Sequence, residues 1–183
     1  MRIISGSARG RKLLAPGRRF GDSIRPTSDR AREAIFSILA AKVIGARVLD
    51  LFAGTGALGI EALSRGADHA VFMDLNCDII RQNLQLCRFE TGTTVICRDI
   101  ITHPLPEILK SRTFDFVFID PPYKTGYIEK TLEKEGFIDL LAPGCIVIAE
   151  HSCKESLQIS LSGLDIFRQK KYSKTIISFI TKG

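Results

Sequence analysis

From Gly45 onward, short apolar runs alternate with stretches of helical periodicity, and that alternation leaves few folds open to the chain. Residues 48–52, 70–74, 93–97, 114–119 and 145–150 are brief, strongly apolar segments that read as buried strands. Between them the spacing predicts a helix over 57–65, a second from an Asn76 cap to about Phe89, and a third over about 127–141. A poor helix disturbed by Pro104 and Pro106 fills the remaining gap. Strands separated by helices must run parallel, with the helices as crossovers, which gives a doubly wound α/β sheet. The end of the chain breaks the rule. Residues 164–169 and 175–181 are strand-like with only Lys171 to Lys174 as a turn between them, so the sheet should finish in an antiparallel hairpin.

Before Gly45 the pattern is different. Residues 2–5 and 11–15 predict a small hairpin around Gly6 to Gly10, and a Gly/Arg-rich loop follows. A helix opening at Thr27 or Ser28 then carries Ala31, Ala34, Ile35, Ile38 and Leu39 at helical spacing. The expectation is one domain over 1–183, with 1–27 as a basic arm and 28–183 as the core. Charge follows the same division. The net charge is +6, yet residues 1–32 hold nine Lys/Arg against two acids, so the whole basic excess sits in the first sixth of the chain. Such a patch attracts a polyanion, and nucleic-acid phosphates are the usual match.

Other classes are excluded by what surrounds these patterns. The most apolar long window, 43–63, is interrupted by Arg47, Asp50 and Glu61, well short of the ~20 apolar residues that cross a bilayer. The opening residues turn polar too early for a signal-peptide core. Five cysteines contain no C-x-x-C pair, and His69, His103 and His151 are scattered, so no metal is expected and the thiols read as packed apolar groups. A cytoplasmic, monomeric protein is the expectation.

After the first strand comes Gly54-Thr55-Gly56-Ala57-Leu58-Gly59, a glycine loop that lets a ligand lie over a helix start. Phe52 and Ala53 lead into it, and Asp74-Leu75 ends the next strand 20 residues after Gly54, where a carboxylate can take both hydroxyls of a ribose. These features fit a dinucleotide as well as any other adenosine-containing cofactor. Asp50, inside the first strand, would repel a pyrophosphate but suits an ammonium or a sulfonium. Asp99-Ile100 ends the third strand, where a carboxylate can accept from an adenine amine. These acids all lie at C-terminal strand ends, and together they favour S-adenosylmethionine.

The fourth strand runs straight into Asp120-Pro121-Pro122-Tyr123. Two prolines supply no N–H, so carbonyl oxygens, a carboxylate and an aromatic face converge at one strand end. That is a receptor for a flat ring carrying an amine: the oxygens hold its hydrogens while Tyr123 stacks on the ring. The motif resembles that of methyltransferases acting on exocyclic amines of nucleobases. Taken with Arg2-Ile3-Ile4-Ser5-Gly6, Arg9-Gly10-Arg11 and Arg25-Pro26-Thr27-Ser28-Asp29-Arg30-Ala31-Arg32-Glu33, the whole chain is similar to the bacterial RsmD family of 16S rRNA (guanine-N2)-methyltransferases.

The resemblance implies a Rossmann-like class I methyltransferase fold with a seven-stranded, mostly parallel sheet, and a guanine N2 of small-subunit rRNA as the methyl acceptor. It also implies that Thr27 folds over the cofactor. Arg2, Arg9, Arg11, Lys12 and Arg25 are the expected RNA contacts. A DNA adenine-N6 methyltransferase and a non-catalytic RNA-binding assembly factor are the alternatives to that function.

Overall fold

A computed structural model describes residues 1–15, 29–123, 125–159 and 163–182. In chain order the elements are α1 (Asp29–Leu39), β1 (Arg47–Leu51), α2 (Ala57–Ser64), β2 (His69–Asp74), α3 (Asp78–Cys87) and β3 (Thr93–Cys97). They continue with α4 (Glu107–Lys110), β4 (Phe114–Ile119), α5 (Tyr127–Leu132), β5 (Leu141–Ser152), β6 (Leu164–Tyr172) and β7 (Thr175–Lys182). The seven strands form one sheet in the order β3-β2-β1-β4-β5-β7-β6. β1 pairs in parallel with β2 and β4, β2 with β3, and β4 with β5, whereas β7 runs antiparallel to both β5 and β6. The fold class is therefore α/β, seven-stranded, mostly parallel and closed by an antiparallel hairpin.

Alternate residues of the central strands supply the two cores, as the period of two demands. On one face Val48, Phe72, Phe116, Phe118, Ile148, Ile177 and Phe179 meet α1, α2 and α3. On the other, Leu49, Leu51, Val71, Val117, Ile119 and Val147 meet α4 and α5. Because both faces are covered, β1 and β4 bury nearly every residue, which is why they read as unbroken apolar runs.

The N-terminal segment sits on the first face. Glu61, fully buried in α2, accepts the N–H groups of Ile4 (2.7 Å) and Ser5 (3.0 Å) and an ion pair from Arg65 (2.7 Å). Ser64 accepts from Ala8 N–H and donates to Ser5 O. Gly6 is required at this seat, because a Cβ there would fall 1.6 Å from Ser64 O. Of the expected small hairpin, one antiparallel bridge forms, Arg2 to Lys12.

Four expectations change. The helix expected over about 127–141 stops at Leu132, because Gly136 adopts φ +79 and turns the chain; a 3-10 turn at Ile138–Leu140 is all that follows. β5 begins at Leu141 and runs through Pro143 and Gly144, earlier than Cys145. The cap of α3 is displaced by one: Cys77 is the N-cap residue, while Asn76 accepts the Asp78 N–H from outside the helix. Cys77 is also not an isolated packed thiol. β3 pairs Cys97 with Asp74, the turn 74–77 folds back, and Cys77 and Cys97 join as a disulfide with Cα atoms 5.7 Å apart. Cys87 and Cys145 are buried and free as expected. Among the described residues no helix is long and apolar enough to cross a membrane, and no group of three or more His, Cys, Asp or Glu is placed to hold a metal ion.

Candidate active site

β1, β2, β3 and β4 end at one edge of the sheet, and the strand order reverses between β1 and β4. Open α/β sheets bind ligands in the crevice at such a point. A cavity of about 340 Å³ opens there, within the ~300–1,000 Å³ of small-molecule sites. Asp50, Phe52, Ala53, Gly54, Asp74, Leu75, Asp99, Ile100, Asp120, Pro121, Pro122 and Tyr123 all line it. Gly56 lies just behind the wall as the left-handed N-cap of α2, with φ 76. Thr27 and Arg25 lie outside the described residues.

Each lining group is placed by a local cause. Asp50 is the penultimate residue of β1 and 1% exposed, and its Oδ2 accepts the Gly59 N–H at 2.9 Å. The approach is close because residue 59 is glycine: a Cβ there would lie 2.3 Å from the Phe72 ring and 3.1 Å from Asp50 Oδ2. Burial pushes the Asp50 carboxyl up to about 8; the Gly59 N–H opposes the rise and the charge of Asp74 adds to it. Asp74 stands at the end of β2, with Oδ2 accepting the Gly54 N–H (2.8 Å) and Oδ1 the Asn76 N–H (3.1 Å). The carboxylate thus ties the glycine loop to β2, and each oxygen keeps a lone pair for a further donor. Phe52, held at φ 58, stacks its ring on Tyr127 with centroids 6.1 Å apart and planes 14° from parallel. Leu75 is 73% exposed at the cavity mouth, whereas Ile100 is buried.

Asp99 serves its own turn more than the sequence suggests. Its Oδ2 accepts the Thr102 hydroxyl (2.8 Å) and its Oδ1 the Ile101 N–H (2.7 Å), and these bonds hold its carboxyl below the usual range.

Asp120 is the first residue beyond the β4 ladder, whose last pairs are Leu51 with Ile119 and Ile119 with Ala149. Pro121 is buried and Pro122 exposed, its carbonyl accepting the Thr125 hydroxyl at 2.8 Å. Tyr123 is more constrained than a surface stacking ring. Its hydroxyl donates to Glu150 Oε1 (3.1 Å) and lies 2.8 Å from Thr175 Oγ1, which must then be the donor to the phenolic oxygen. Burial pushes the phenol up to about 12, the Thr175 bond opposing and Glu150 reinforcing the rise. Tyr123 therefore keeps its proton at neutral pH and offers a fixed ring.

Arg2, Arg9 and Lys12 are exposed on the N-terminal segment. Arg11 is half-buried instead, with its Nη1 donating to Leu86 O at the end of α3. Sequence reasoning missed Met1, Met73, Arg98 and Tyr127 among the cavity residues, and the Glu150–Thr175 pair behind Tyr123. Tyr127 was findable, four residues after Tyr123 at the start of a helix. Thr175 had no local signal, because the contact spans 52 residues.

Known proteins resemble the chain over its whole length. It matches the family described as Conserved hypothetical protein 95 over residues 1–181. It is 35% identical to the Bacillus subtilis protein YlbH, across 100% of this chain and 99% of that one. It is 34% identical to the Escherichia coli K12 protein named Ribosomal RNA small subunit methyltransferase D, across 93% of this chain and 84% of that one. The solved structure of Escherichia coli yhhF superposes with a TM-score of 0.82 at 30% identity, covering 100% of this chain and 97% of the other. Matched over nearly its whole length by the family model and by relatives about a third identical, this chain belongs to the Conserved hypothetical protein 95 family, the RsmD family.

Proposed function

We propose that this protein transfers a methyl group from S-adenosylmethionine to the exocyclic N2 of a guanine in small-subunit (16S) ribosomal RNA. The observation that carries the reading is the cavity itself: a wall of Asp50, Asp74 and the glycine loop faces a wall of Asp120, Pro121, Pro122 and Tyr123. The first wall suits a ligand with an adenosine end and a cationic amino-acid end, and the second suits an aromatic amine. The relative named for small-subunit ribosomal RNA supports the substrate class.

S-adenosylmethionine supplies an electrophilic methyl on a sulfonium, which the amine nitrogen takes as the thioether leaves. Asp50 answers the cofactor's ammonium, and Asp74 its ribose hydroxyls. Asp99 and Ile100 border the adenine, and Thr27 is a further proposed contact. Phe52, Ala53, Gly54 and Gly56 shape the loop that seats the amino-acid end. Asp120 orients the N2 amine, accepts one of its hydrogens and takes the proton shed after transfer. The Pro121 and Pro122 pair holds that corner rigid, and Tyr123 stacks on the base with its ring pinned through Thr175 and Glu150. Holding both reactants at near-attack distance supplies most of the acceleration. Arg2, Arg9, Arg11, Lys12 and Arg25 contact phosphates, which position the RNA without reading its sequence.

Small ribosomal subunits lacking the modification, naked rRNA and duplex DNA are incubated with labelled S-adenosylmethionine, and the labelled nucleoside is identified. N2-methylguanosine from the subunits, lost in Asp120→Ala, is expected. Label in DNA adenine, or turnover unchanged in Asp120→Ala at saturating cofactor, refutes the assignment.

A further inference from the structure

The basic N-terminal segment is not the chain's sole concentration of positive charge. Residues 33–163 hold 12 Lys/Arg and 17 Asp/Glu, yet residues 164–182 hold five basic residues, Arg168, Lys170, Lys171, Lys174 and Lys182, against Asp165 alone. An acidic middle is thus flanked by two basic ends, and the second is the β6–β7 hairpin. Among the described residues none of its five cations joins an ion pair.

Register puts this hairpin beside the Asp-Pro-Pro-Tyr corner. Thr175 pairs with Ser152 at the end of β5 and with Tyr172 at the end of β6, so the hairpin turn lies at the cavity edge of the sheet. Contact is direct, through Tyr123 Oη and Thr175 Oγ1 at 2.8 Å.

The face is also set by register, since paired residues point the same way. Lys170 pairs with Ile177 and Arg168 with Phe179, and both partners belong to the core cluster that includes α1 and Ile3, Ala8 and Leu13. Arg168 and Lys170 therefore stand exposed on the face that carries the N-terminal segment. That segment is bonded to α2 and α3, over the β1–β3 half, while β6 is the opposite edge of the sheet. Aromatic rings flank these cations: Phe167, 51% exposed at a bulge between Ile166 and Arg168, and the half-buried Tyr172. Cations bracketed by two rings match a single-stranded nucleic acid, with phosphates on the charges and bases on the rings.

We propose that the β6–β7 hairpin is a second RNA-binding surface, one that grips the strand carrying the target base on the far side of Tyr123 from the N-terminal segment. The inference rests on the proposed rRNA substrate and adds to it where the strand runs. At ~3.3 Å per residue, Lys170 stands about 7 Å along the strand from the Thr175 level and Lys182 about 23 Å away. Arg168, paired with Phe179, stands about 13 Å along. With a screening length of about 8 Å at physiological salt, the pull on RNA near Tyr123 falls from Lys170 through Arg168 to Lys182, which contributes least.

The test uses the full-length protein with Lys170→Glu, Arg168→Glu/Lys170→Glu, its neutral counterpart Arg168→Gln/Lys170→Gln, and Lys182→Glu as the equal-charge control. Binding to unmodified small subunits is followed over a salt series, with S-adenosylhomocysteine affinity measured in parallel. The double reversal is expected to weaken subunit binding about tenfold or more and to flatten the log–log salt slope by about 1.4, at ~0.7 per lost single-strand contact. The glutamine pair should show the same change of slope. Lys182→Glu and S-adenosylhomocysteine binding should stay at wild-type values. Unchanged subunit affinity and slope in the double reversal overturn the proposal and leave these cations as a guard against strand addition at an exposed edge. If the wild type itself neither binds nor methylates RNA, it is the rRNA reading that fails.

Discussion

Raising the pH from 5.5 to 7.5 should tighten the binding of S-adenosylhomocysteine roughly 75-fold, and Asp50 is the reason. Its carboxyl is buried beneath α2 and accepts the Gly59 N–H, and burial carries it to about 8. At pH 7 about nine molecules in ten thus hold Asp50 protonated, whereas the ligand's ammonium favours the ionised form. Each pH unit below 8 costs about 1.4 kcal/mol of binding free energy, and summed from 5.5 to 7.5 with the curvature near 8 this comes to ~2.6 kcal/mol. Titration calorimetry in two buffers of different ionisation enthalpy should record ~0.9 proton released per ligand at pH 7. Asp50→Asn keeps an acceptor for the Gly59 N–H but cannot ionise, so its affinity should be weak and flat across the window, with no proton released. Stability of the ligand-free protein carries the matching sign. A carboxyl raised from 3.8 to about 8 contributes fully below 4 and loses that contribution as pH climbs to 8. Wild type should therefore lose ~1.4 kcal/mol per pH unit relative to Asp50→Asn between those limits. Affinity for wild type that changes less than about twofold over the window, or equal proton release in the two proteins, would refute the placement of the ammonium at Asp50.

Gly59→Ala should be badly tolerated, because its methyl would sit 2.3 Å from the fully buried Phe72 ring; overpacking of ~3 kcal/mol lowers the melting temperature by roughly 6–12 °C in a thermal scan. Glu61→Ala removes the acceptor of two backbone N–H groups and of Arg65, so the N-terminal segment should detach and trypsin should cut after Arg9, Arg11 or Lys12 at least tenfold faster, read by mass spectrometry. Tyr123→Phe keeps the ring but removes the hydroxyl that links Glu150 to Thr175. Stability should fall by about 1–3 kcal/mol and kcat on small subunits about tenfold, with S-adenosylhomocysteine affinity unchanged.

The parts of this fold that the sequence reveals are those whose cause is local. Strands β1 and β4 are buried on both faces, so composition alone marks them, and the turn after Gly54 needs backbone freedom that only certain residues give. The helix after Tyr127 misleads because Phe137, Leu140 and Leu141 keep a helical spacing past a residue, Gly136, that bends the backbone away from it. Periodicity registers burial; it does not register the dihedral that ends an element. Cys77 shows the same limit from another side. Its stripe with Ile80 and Leu84 is real, yet its partner comes from β3, and the β2–β3 register that delivers Cys97 depends on a pairing 20 residues away.

Candidate site residues divide along the same line. Asp50, Asp74, Asp99 and Asp120 are legible because each ends a strand, and parallel strands of one sheet must present their ends together. What a carboxylate does once there depends on neighbours that arrive from elsewhere. Asp74 and Asp99 each accept backbone N–H groups, and such bonds, led by the Thr102 hydroxyl, hold Asp99 below the usual range, whereas Asp50 lies under α2 and is driven toward neutrality. The burial of Asp50 traces to Gly59: with a side chain at that position α2 would stand off the sheet and water would reach the Asp50 carboxyl. One glycine spacing therefore sets both how closely α2 packs on the sheet and how deeply the Asp50 carboxyl is buried.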